Sequence, residues 1–164
     1  MARDLQKIVV MGLGYIGLPT ASMLATKGHQ VLGVDVNAKA VDTINSGRIH
    51  IVEPDLDILV RSAVNSGNLR ASLTPEEGDT FIIAVPTPFK EENGNLKAPD
   101  LSYVESATCA IVPFLREENL VILESTSPVG TTEVIEKIIC EMRPELAGKV
   151  HTAHCPERVL PGHI

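Results

Sequence analysis

Aromatic side chains are scarce in this sequence of 164 residues, where they make up 3% of the total and tryptophan is absent. The interior must therefore be filled by aliphatic side chains, and these occur in short runs separated by polar segments. Such runs are typical of strands in a parallel sheet, whose two faces are both covered. The length and an apolar fraction of 44% predict one globular domain with a single core.

A surplus of basic residues is lacking as well. The 14 Lys and Arg side chains stand against 21 Asp and Glu, which gives a formal net charge of −7. Proteins that bind nucleic acid through its phosphates need a basic cluster, and the sequence contains none, so we expect no nucleic-acid partner. An anionic ligand would have to be held by local backbone groups rather than by a general positive field.

Long apolar runs are also missing, since none approaches the roughly 20 residues that span a bilayer. The first predicted strand follows Met1 so closely that no room is left for a signal peptide. The three cysteines, Cys109, Cys140 and Cys155, do not have the spacing of metal ligands. We therefore expect a cytoplasmic protein with reduced thiols, no membrane partner and no metal site.

Aliphatic runs alternate along the chain with segments of helical period. Strands are predicted at 7–11, 30–36, 69–73, 80–85, 120–124 and 149–154. Helices are predicted at 14–27, after the N-caps Asn37, Asp55 and Asp100, and from Thr131 or Thr132. The stretch 86–99, rich in Pro, Gly, Asn and charge, is predicted to be irregular. This order predicts an α/β fold over residues 1–164, with a Rossmann-type, doubly wound, mainly parallel sheet and helices on both faces.

A glycine-rich turn follows the first predicted strand. Gly12, Gly14 and Gly17 match the pattern G-x-G-x-x-G between an aliphatic strand and an amphipathic helix. The first glycine permits a tight turn, the second lets the backbone approach a pyrophosphate, and the third lets helix and strand pack closely. The helix N-terminus then presents free N–H groups to the anion. By itself the pattern leaves a purely structural role open.

Asp35 makes the prediction of a dinucleotide at this turn more specific. It lies at the end of the second predicted strand, 18 residues after Gly17. A carboxylate there can accept hydrogen bonds from the ribose hydroxyls of a dinucleotide, and its charge would repel a ribose 2′-phosphate. The turn and Asp35 together predict NAD rather than NADP as the cofactor, against the alternative of an ordinary strand-end aspartate.

Three unusual loops follow later strands: VPTP at 85–88, ESTSPVGT at 124–131 and CPERVLPG at 155–162. Doubly wound sheets bind ligands at the carboxyl ends of their strands. We therefore expect the three loops to converge on one edge of the sheet, where a nicotinamide ring and its substrate would meet.

Together these segments resemble one known family. The quoted motifs are GLGYIGLPTA at 12–21, VDTIN at 41–45, HIVEPDL at 50–56, IAVPTPFK at 83–90, ILESTSPVGT at 122–131 and CPERVLPG at 155–162. In this order they resemble the N-terminal domain of the UDP-glucose/UDP-N-acetylmannosamine dehydrogenase family, and the last motif favours its N-acetylhexosamine branch. The resemblance implies an enzyme that oxidises the C6 alcohol of a UDP-sugar to a carboxylate with two NAD, through an aldehyde captured by a cysteine thiolate.

The resemblance also implies roles for individual residues. Glu157 would orient or activate the water that hydrolyses the thioester, and Thr126 would position the cofactor or that water; these are the two predicted catalytic residues. Cofactor contacts are predicted for Gly12, Gly14, Tyr15, Ile16, Gly17, Asp35, Val85, Pro86, Thr87 and Thr126. Judged from the residues alone, Glu157 could also be a solvated loop side chain and Thr126 a turn hydroxyl.

Two positions depart from the pattern of the UDP-glucose branch. Pro161 stands where a second acidic residue is expected, and Ala40 stands where a lysine is expected after Asp35. The nucleophilic cysteine, its helper lysine and asparagine, and the UDP-binding domain are expected beyond residue 164, and none of the three cysteines replaces the nucleophile. The resemblance therefore predicts the NAD-binding part of a larger enzyme, inactive alone, whose parent forms a homodimer or higher oligomer.

Other interpretations stay open. A β-hydroxyacid-type dehydrogenase shares the glycine turn, although it has no use for a thioester-hydrolysing carboxylate such as Glu157. A non-catalytic nucleotide-binding module would need the same glycines and Asp35. UDP-glucose and UDP-N-acetylglucosamine are alternative substrates.

Overall fold

The computed structural model describes residues 5–92 and 96–158. Within these ranges the strands are β1 (Lys7–Met11), β2 (Gln30–Val34), β3 (Leu69–Ser72), β4 (Thr80–Ile83), β5 (Phe89–Glu92), β6 (Leu96–Pro99), β7 (Leu120–Leu123) and β8 (His151–His154). The α-helices are α1 (Gly17–Thr26), α2 (Ala38–Asn45), α3 (Leu56–Asn65), α4 (Ser102–Ile111) and α5 (Thr131–Met142).

The main sheet has the spatial order β3-β2-β1-β4-β7-β8 in the described part of the chain. Every neighbouring pair in it is parallel. The strand order changes direction between β1 and β4, and a crevice for ligands forms at such a point, outside the carboxyl ends of the strands. The predicted Rossmann-type, doubly wound α/β fold is confirmed.

Helices cover both faces of this sheet. On one face, α1, α2 and α3 enclose a core in which Val10 and Leu18 are fully buried. On the other face, α4 and α5 enclose a second core around Phe81 and Ile111. Each fully buried aliphatic side chain contributes on the order of 2 kcal/mol relative to exposure, so the aliphatic runs account for the layered packing. No helix among the described residues has both the length and the apolar composition needed to cross a membrane.

The predicted start of α1 is wrong by three residues. The helix begins at Gly17 rather than Gly14, because residues 14–16 form the turn that carries the chain from β1 into the helix. Its predicted stop is confirmed, since Gly28 has a φ of +100° just after the last helical residues.

Two of the predicted N-caps behave differently. The side-chain oxygen of Asn37 accepts hydrogen bonds from the N–H groups of Lys39 and Ala40, as predicted for a cap of α2. Asp55 does not cap α3, because its backbone is left-handed with a φ of 60° and its side chain makes no capping hydrogen bond. A capping residue needs an extended backbone to bring its side chain to the first free N–H groups.

A β-hairpin occupies most of the stretch predicted to be irregular. β5 and β6 pair antiparallel, from Phe89 opposite Pro99 to Glu92 opposite Leu96, as a sheet separate from the main one. For 89–92 and 96–99 the prediction is wrong, because two four-residue runs, one of them mostly charged, do not show the longer alternation that marks a half-buried strand. Residues 93–95 of the predicted stretch lie outside the described residues. The hairpin is held by its own ladder of backbone hydrogen bonds, which a side-chain pattern does not show.

An ion pair fixes the base of this hairpin to α4. The ammonium group of Lys90 lies 2.7 Å from Oδ1 of Asp100, and the same oxygen accepts the N–H of Ser102, the first residue of α4. These contacts, that of Lys90 first, lower the pKa of Asp100 from 3.8 to about 2. The carboxylate therefore joins the hairpin to the start of the helix.

We expect Asp100→Asn to lower the unfolding temperature near neutral pH, and the difference to shrink as the pH falls from about 4 to about 2. A carboxyl group with a lowered folded-state pKa adds stability above its unfolded value and loses it as the pH falls through the folded value; those values are 3.8 and about 2. Thermal unfolding across this range measures the effect. Asp42→Asn, on an exposed position of α2, is the control, and a difference independent of pH would contradict the prediction.

Candidate functional site

The glycine turn between β1 and α1 is packed tightly against its own backbone. A Cβ atom on Gly12, whose φ is +91°, would lie 2.7 Å from the carbonyl oxygen of Ala84, which follows β4. A Cβ atom on Gly17 would overlap the carbonyl oxygen of Gly12. Only glycine fits at these two positions, and α1 therefore starts directly against the end of β1.

Gly14 is in a different environment. A Cβ atom there would meet nothing within 4 Å, so the space in front of it is open. Within the described residues, the N–H groups of Gly14, Tyr15 and Ile16 make no hydrogen bond, and they stand just before the first turn of α1. The side chain of Ile16 packs against the core, so this residue offers a ligand its backbone. Open space, unpaired N–H groups and a helix N-terminus fit the pyrophosphate of a dinucleotide.

The carboxylate of Asp35 accepts hydrogen bonds from two backbone N–H groups, one in the glycine turn and one just before α2. Its Oδ2 accepts the N–H of Leu13 at 2.9 Å, and its Oδ1 accepts the N–H of Asn37 at 2.9 Å. The first bond holds the glycine turn to the end of β2, and the second holds the start of α2. A carboxylate has about four acceptor sites, so two remain for the ribose hydroxyls that the sequence predicts as ligands.

The loops after β4, β7 and β8 are tied together by side-chain hydroxyls. Ser125 donates to the carbonyl oxygen of Val85 at 2.9 Å. Thr87 donates to the carbonyl oxygen of Thr126. Thr126 in turn donates to the carbonyl oxygen of Glu157 at 3.1 Å. The structure therefore brings the three loops to one edge of the sheet, as the sequence predicts.

The predicted site residues of these loops differ in exposure. Thr126 and Pro86 are exposed, whereas Val85, Thr87 and Glu157 are half-buried. Because the hydroxyl protons of Thr87 and Thr126 are used by loop carbonyls, each hydroxyl can offer a ligand only its acceptor lone pairs. The part of the third loop at 159–162, with Pro161, lies outside the described residues.

Glu124 is a polar residue of this edge that sequence reasoning did not select. It follows the last residue of β7, and its Oε1 accepts the hydroxyl proton of Thr20 on α1 at 3.1 Å. Its Oε2 is buried without a hydrogen-bond partner among the described residues. Burial, and then the negative charge of Glu157, raise the pKa of this carboxyl group. The sequence signal that could have identified Glu124 is a charged residue directly after the aliphatic run Leu120–Leu123.

Comparison with known proteins decides the family. A model of the NAD binding domain of the UDP-glucose/GDP-mannose dehydrogenase family matches residues 6–164. The chain belongs to this family. NAD is therefore its cofactor, as the glycine turn and Asp35 predict.

Curated members of the family are similar over nearly the whole chain. An NDP-N-acetyl-D-galactosaminuronic acid dehydrogenase from Ralstonia nicotianae is 56% identical over 98% of this chain and 39% of its own length. A UDP-N-acetyl-D-mannosamine dehydrogenase from Escherichia coli is 56% identical over 96% of this chain and 38% of its own length. The chain spans about two fifths of the length of these dehydrogenases.

Solved structures of dehydrogenases in this family have the same fold. The UDP-N-acetyl-mannosamine dehydrogenase from Staphylococcus aureus superimposes with a TM-score of 0.86 and 43% identity, over 95% of this chain and 37% of that one. A 3-hydroxyisobutyrate dehydrogenase from Mycobacterium tuberculosis superimposes with a TM-score of 0.61 at 17% identity. The second likeness concerns the fold alone, so it does not favour the β-hydroxyacid interpretation.

Proposed function

We propose that this chain is the cofactor-binding part of an enzyme that oxidises the C6 alcohol of UDP-N-acetyl-D-mannosamine to a carboxylate. The observation that carries the proposal is the arrangement of the glycine turn, Asp35 and the three strand-end loops along one open edge. The chain belongs to a family of nucleotide-sugar dehydrogenases, and two kinds of N-acetylhexosamine dehydrogenase are 55–56% identical to it.

The residues of the chain divide the binding of NAD between them. The N–H groups of residues 14–16 and the N-terminus of α1 would hold the pyrophosphate, and Asp35 would accept hydrogen bonds from the ribose hydroxyls. Val85, Pro86, Thr87 and Thr126 would hold the nicotinamide half. NAD held by these residues would supply the hydride acceptor for oxidation of the C6 alcohol.

Glu157 acts on water in the last step of the proposed reaction, and Thr126 holds the loop that carries it. The attacking water forms a bond to the thioester carbon and gives its proton to the Glu157 carboxylate, and the carbon–sulfur bond then breaks to release the thiolate. Thr126 contributes by holding the loop, since its hydroxyl binds the backbone of Glu157. The thiol and most contacts to the UDP-sugar come from outside these 164 residues, and we propose that the whole enzyme is a homodimer or higher oligomer.

A second substrate is favoured by a specific observation. The Ralstonia relative, named for N-acetyl-D-galactosaminuronic acid, is as similar to this chain as the mannosamine dehydrogenase from Escherichia coli. UDP-N-acetyl-D-galactosamine is therefore the alternative substrate. UDP-glucose and UDP-N-acetylglucosamine remain comparison substrates, and a nucleotide-binding module without catalysis remains the non-enzymatic alternative.

Turnover by the full-length protein tests the proposal. We expect two NADH to form for each UDP-N-acetyl-D-mannosamine consumed, and Glu157→Gln to stop the reaction at the thioester, after both hydride transfers of one turnover, while NAD binding persists. NADH formation with the galactosamine compound alone would select the alternative substrate. If a protein that binds NAD forms no NADH with any UDP-sugar, the proposal is refuted in favour of a nucleotide-binding module without catalysis.

A further inference from the structure

The carboxyl group of Glu124 is enclosed where β7 ends. Its N–H donates to the carbonyl oxygen of Ile83 at 2.8 Å, so the residue continues the pairing of β7 with β4. Its Oε1 accepts the proton of the Thr20 hydroxyl, and its Oε2 is buried without a partner among the described residues. An unpartnered charged oxygen is costly in such a place, whereas a proton on Oε2 removes the charge.

The strand register places Glu124 beside the loop that carries Glu157. β7 and β8 pair up to Leu123 opposite His154, and the N–H of Cys155 donates to the carbonyl oxygen of Leu123. Cys155 is therefore the register neighbour of Glu124, and Glu157 follows two residues later.

Burial and two neighbouring side chains set the pKa of Glu124. The negative charge of Glu157 adds to burial in raising the pKa of Glu124, and the hydrogen bond from Thr20 opposes both. Among the described residues, residues 84–85 after β4 and Thr20 on α1 carry no titratable group. The titratable side chains on the neighbouring β8 side are His154, Cys155 and Glu157, and of these Glu157 is the one whose charge raises the pKa of Glu124.

We propose that Glu124 is a positioning residue for Glu157, keeping its proton while Glu157 is ionised, so that two neighbouring carboxyl groups carry one negative charge between them. Two ionised carboxylates on these neighbouring segments of the edge would repel each other and push the Glu157 loop away from Glu124. A neutral Glu124 leaves that loop where Thr126 holds it. The inference rests on the proposed function, in which Glu157 activates water.

The test is a pH titration of the Glu124 carboxyl ¹³C signal in the 164-residue chain, assigned by its loss in Glu124→Gln. Glu157→Gln removes the repelling charge, so we expect Glu124 to titrate at lower pH. Thr20→Val removes a donor that favours the ionised form, so we expect Glu124 to titrate at higher pH. Glu105→Gln, at an exposed position of α4, is the control. An unchanged midpoint in Glu157→Gln would overturn the proposal.

Thermal unfolding supplies a second measurement. A carboxyl group with a raised folded-state pKa adds stability that is complete below its unfolded value, here 4.5, and is lost as the pH rises through the folded value. Glu124→Gln cannot ionise, so it should unfold at a higher temperature than the parent chain at alkaline pH and at nearly the same temperature near pH 4. A difference independent of pH would count against a proton on Glu124.

Neither measurement involves turnover. If the Glu124 midpoint shifts in Glu157→Gln but the full-length protein forms no NADH, the carboxyl pair is supported and the proposed enzyme activity is refuted. If the full-length protein forms NADH but the Glu124 midpoint does not shift in Glu157→Gln, the carboxyl pair is refuted and the proposed enzyme activity is supported. In the full-length enzyme, the pair also predicts that Glu124→Gln keeps its activity at alkaline pH better than the parent protein does.

Discussion

Gly17→Ala is expected to disrupt the glycine turn and to abolish NAD binding with it. The new Cβ atom would overlap the carbonyl oxygen of Gly12, which is backbone and cannot rotate away. Gly12 cannot retreat either, because it already lies against the carbonyl oxygen of Ala84. Overpacking of this kind costs about 3 kcal/mol or more, a large part of the stability of a small domain. Chemical denaturation and calorimetric titration with NAD measure the two effects.

Gly14→Ala is the matched comparison for Gly17→Ala, since it adds the same methyl group at another glycine of the same turn. Nothing lies within 4 Å of the new Cβ atom, so the stability should change by no more than about 0.5 kcal/mol. The methyl group would instead occupy the space through which a pyrophosphate approaches the backbone. We expect NAD affinity to fall by a factor of about 10 or more in a chain that remains folded.

The two alanine variants separate packing from binding. If Gly17→Ala unfolds at the same denaturant concentration as the parent chain, the close packing of α1 against β1 is wrong. If Gly14→Ala binds NAD as tightly as the parent chain, the pyrophosphate does not lie in front of residues 14–16. Each result bears on one of the two glycines only.

Asp35→Ala is expected to lower NAD affinity by a factor of about 100. Hydrogen bonds to a charged group contribute about 1.5 kcal/mol each, and the carboxylate has two acceptor sites left for the two ribose hydroxyls. Removing the charge also removes the repulsion of a 2′-phosphate, so the preference for NAD over NADP should nearly disappear. Parallel calorimetric titrations with NAD and NADP measure both changes.

Two further variants make this result specific. Asp42→Ala removes the same charge from an exposed position on α2 and should leave both affinities unchanged. Asp35→Asn keeps one oxygen that can accept the N–H of Leu13, so it should unfold at a higher denaturant concentration than Asp35→Ala. It should still lose the preference for NAD over NADP. An Asp35→Ala variant that still favours NAD would show that another group recognises the adenosine ribose.

The parts of the site that the sequence predicts are those with a local cause. The turn at Gly12–Gly17 follows from the steric demands of one strand–helix connection, and Asp35 follows from its place at a strand end. The convergence of the loops follows from the topology, because parallel strands put all their carboxyl ends on one edge.

The features that escaped prediction depend on contacts between distant parts of the chain. The carboxyl group of Glu124 is bonded to Thr20 on α1, 104 residues away along the chain, and its Oε2 is buried. The pairing of 89–92 with 96–99 is held by its backbone ladder and by the Lys90–Asp100 pair, so side-chain periodicity does not reveal it. Asp55 fails as a cap because its backbone is left-handed and its side chain makes no capping hydrogen bond, which a sequence pattern does not show.

The two backbone bonds of Asp35 limit how this domain could be re-engineered. A designer who wants it to use the phosphorylated cofactor would replace the aspartate with a neutral or basic residue. That single exchange would also release the N–H of Leu13 from the glycine turn and the N–H of Asn37 from the start of α2. Each released donor needs a new acceptor, so a change of cofactor in this domain requires coordinated substitutions in the turn, at position 35 and in the first turn of α2.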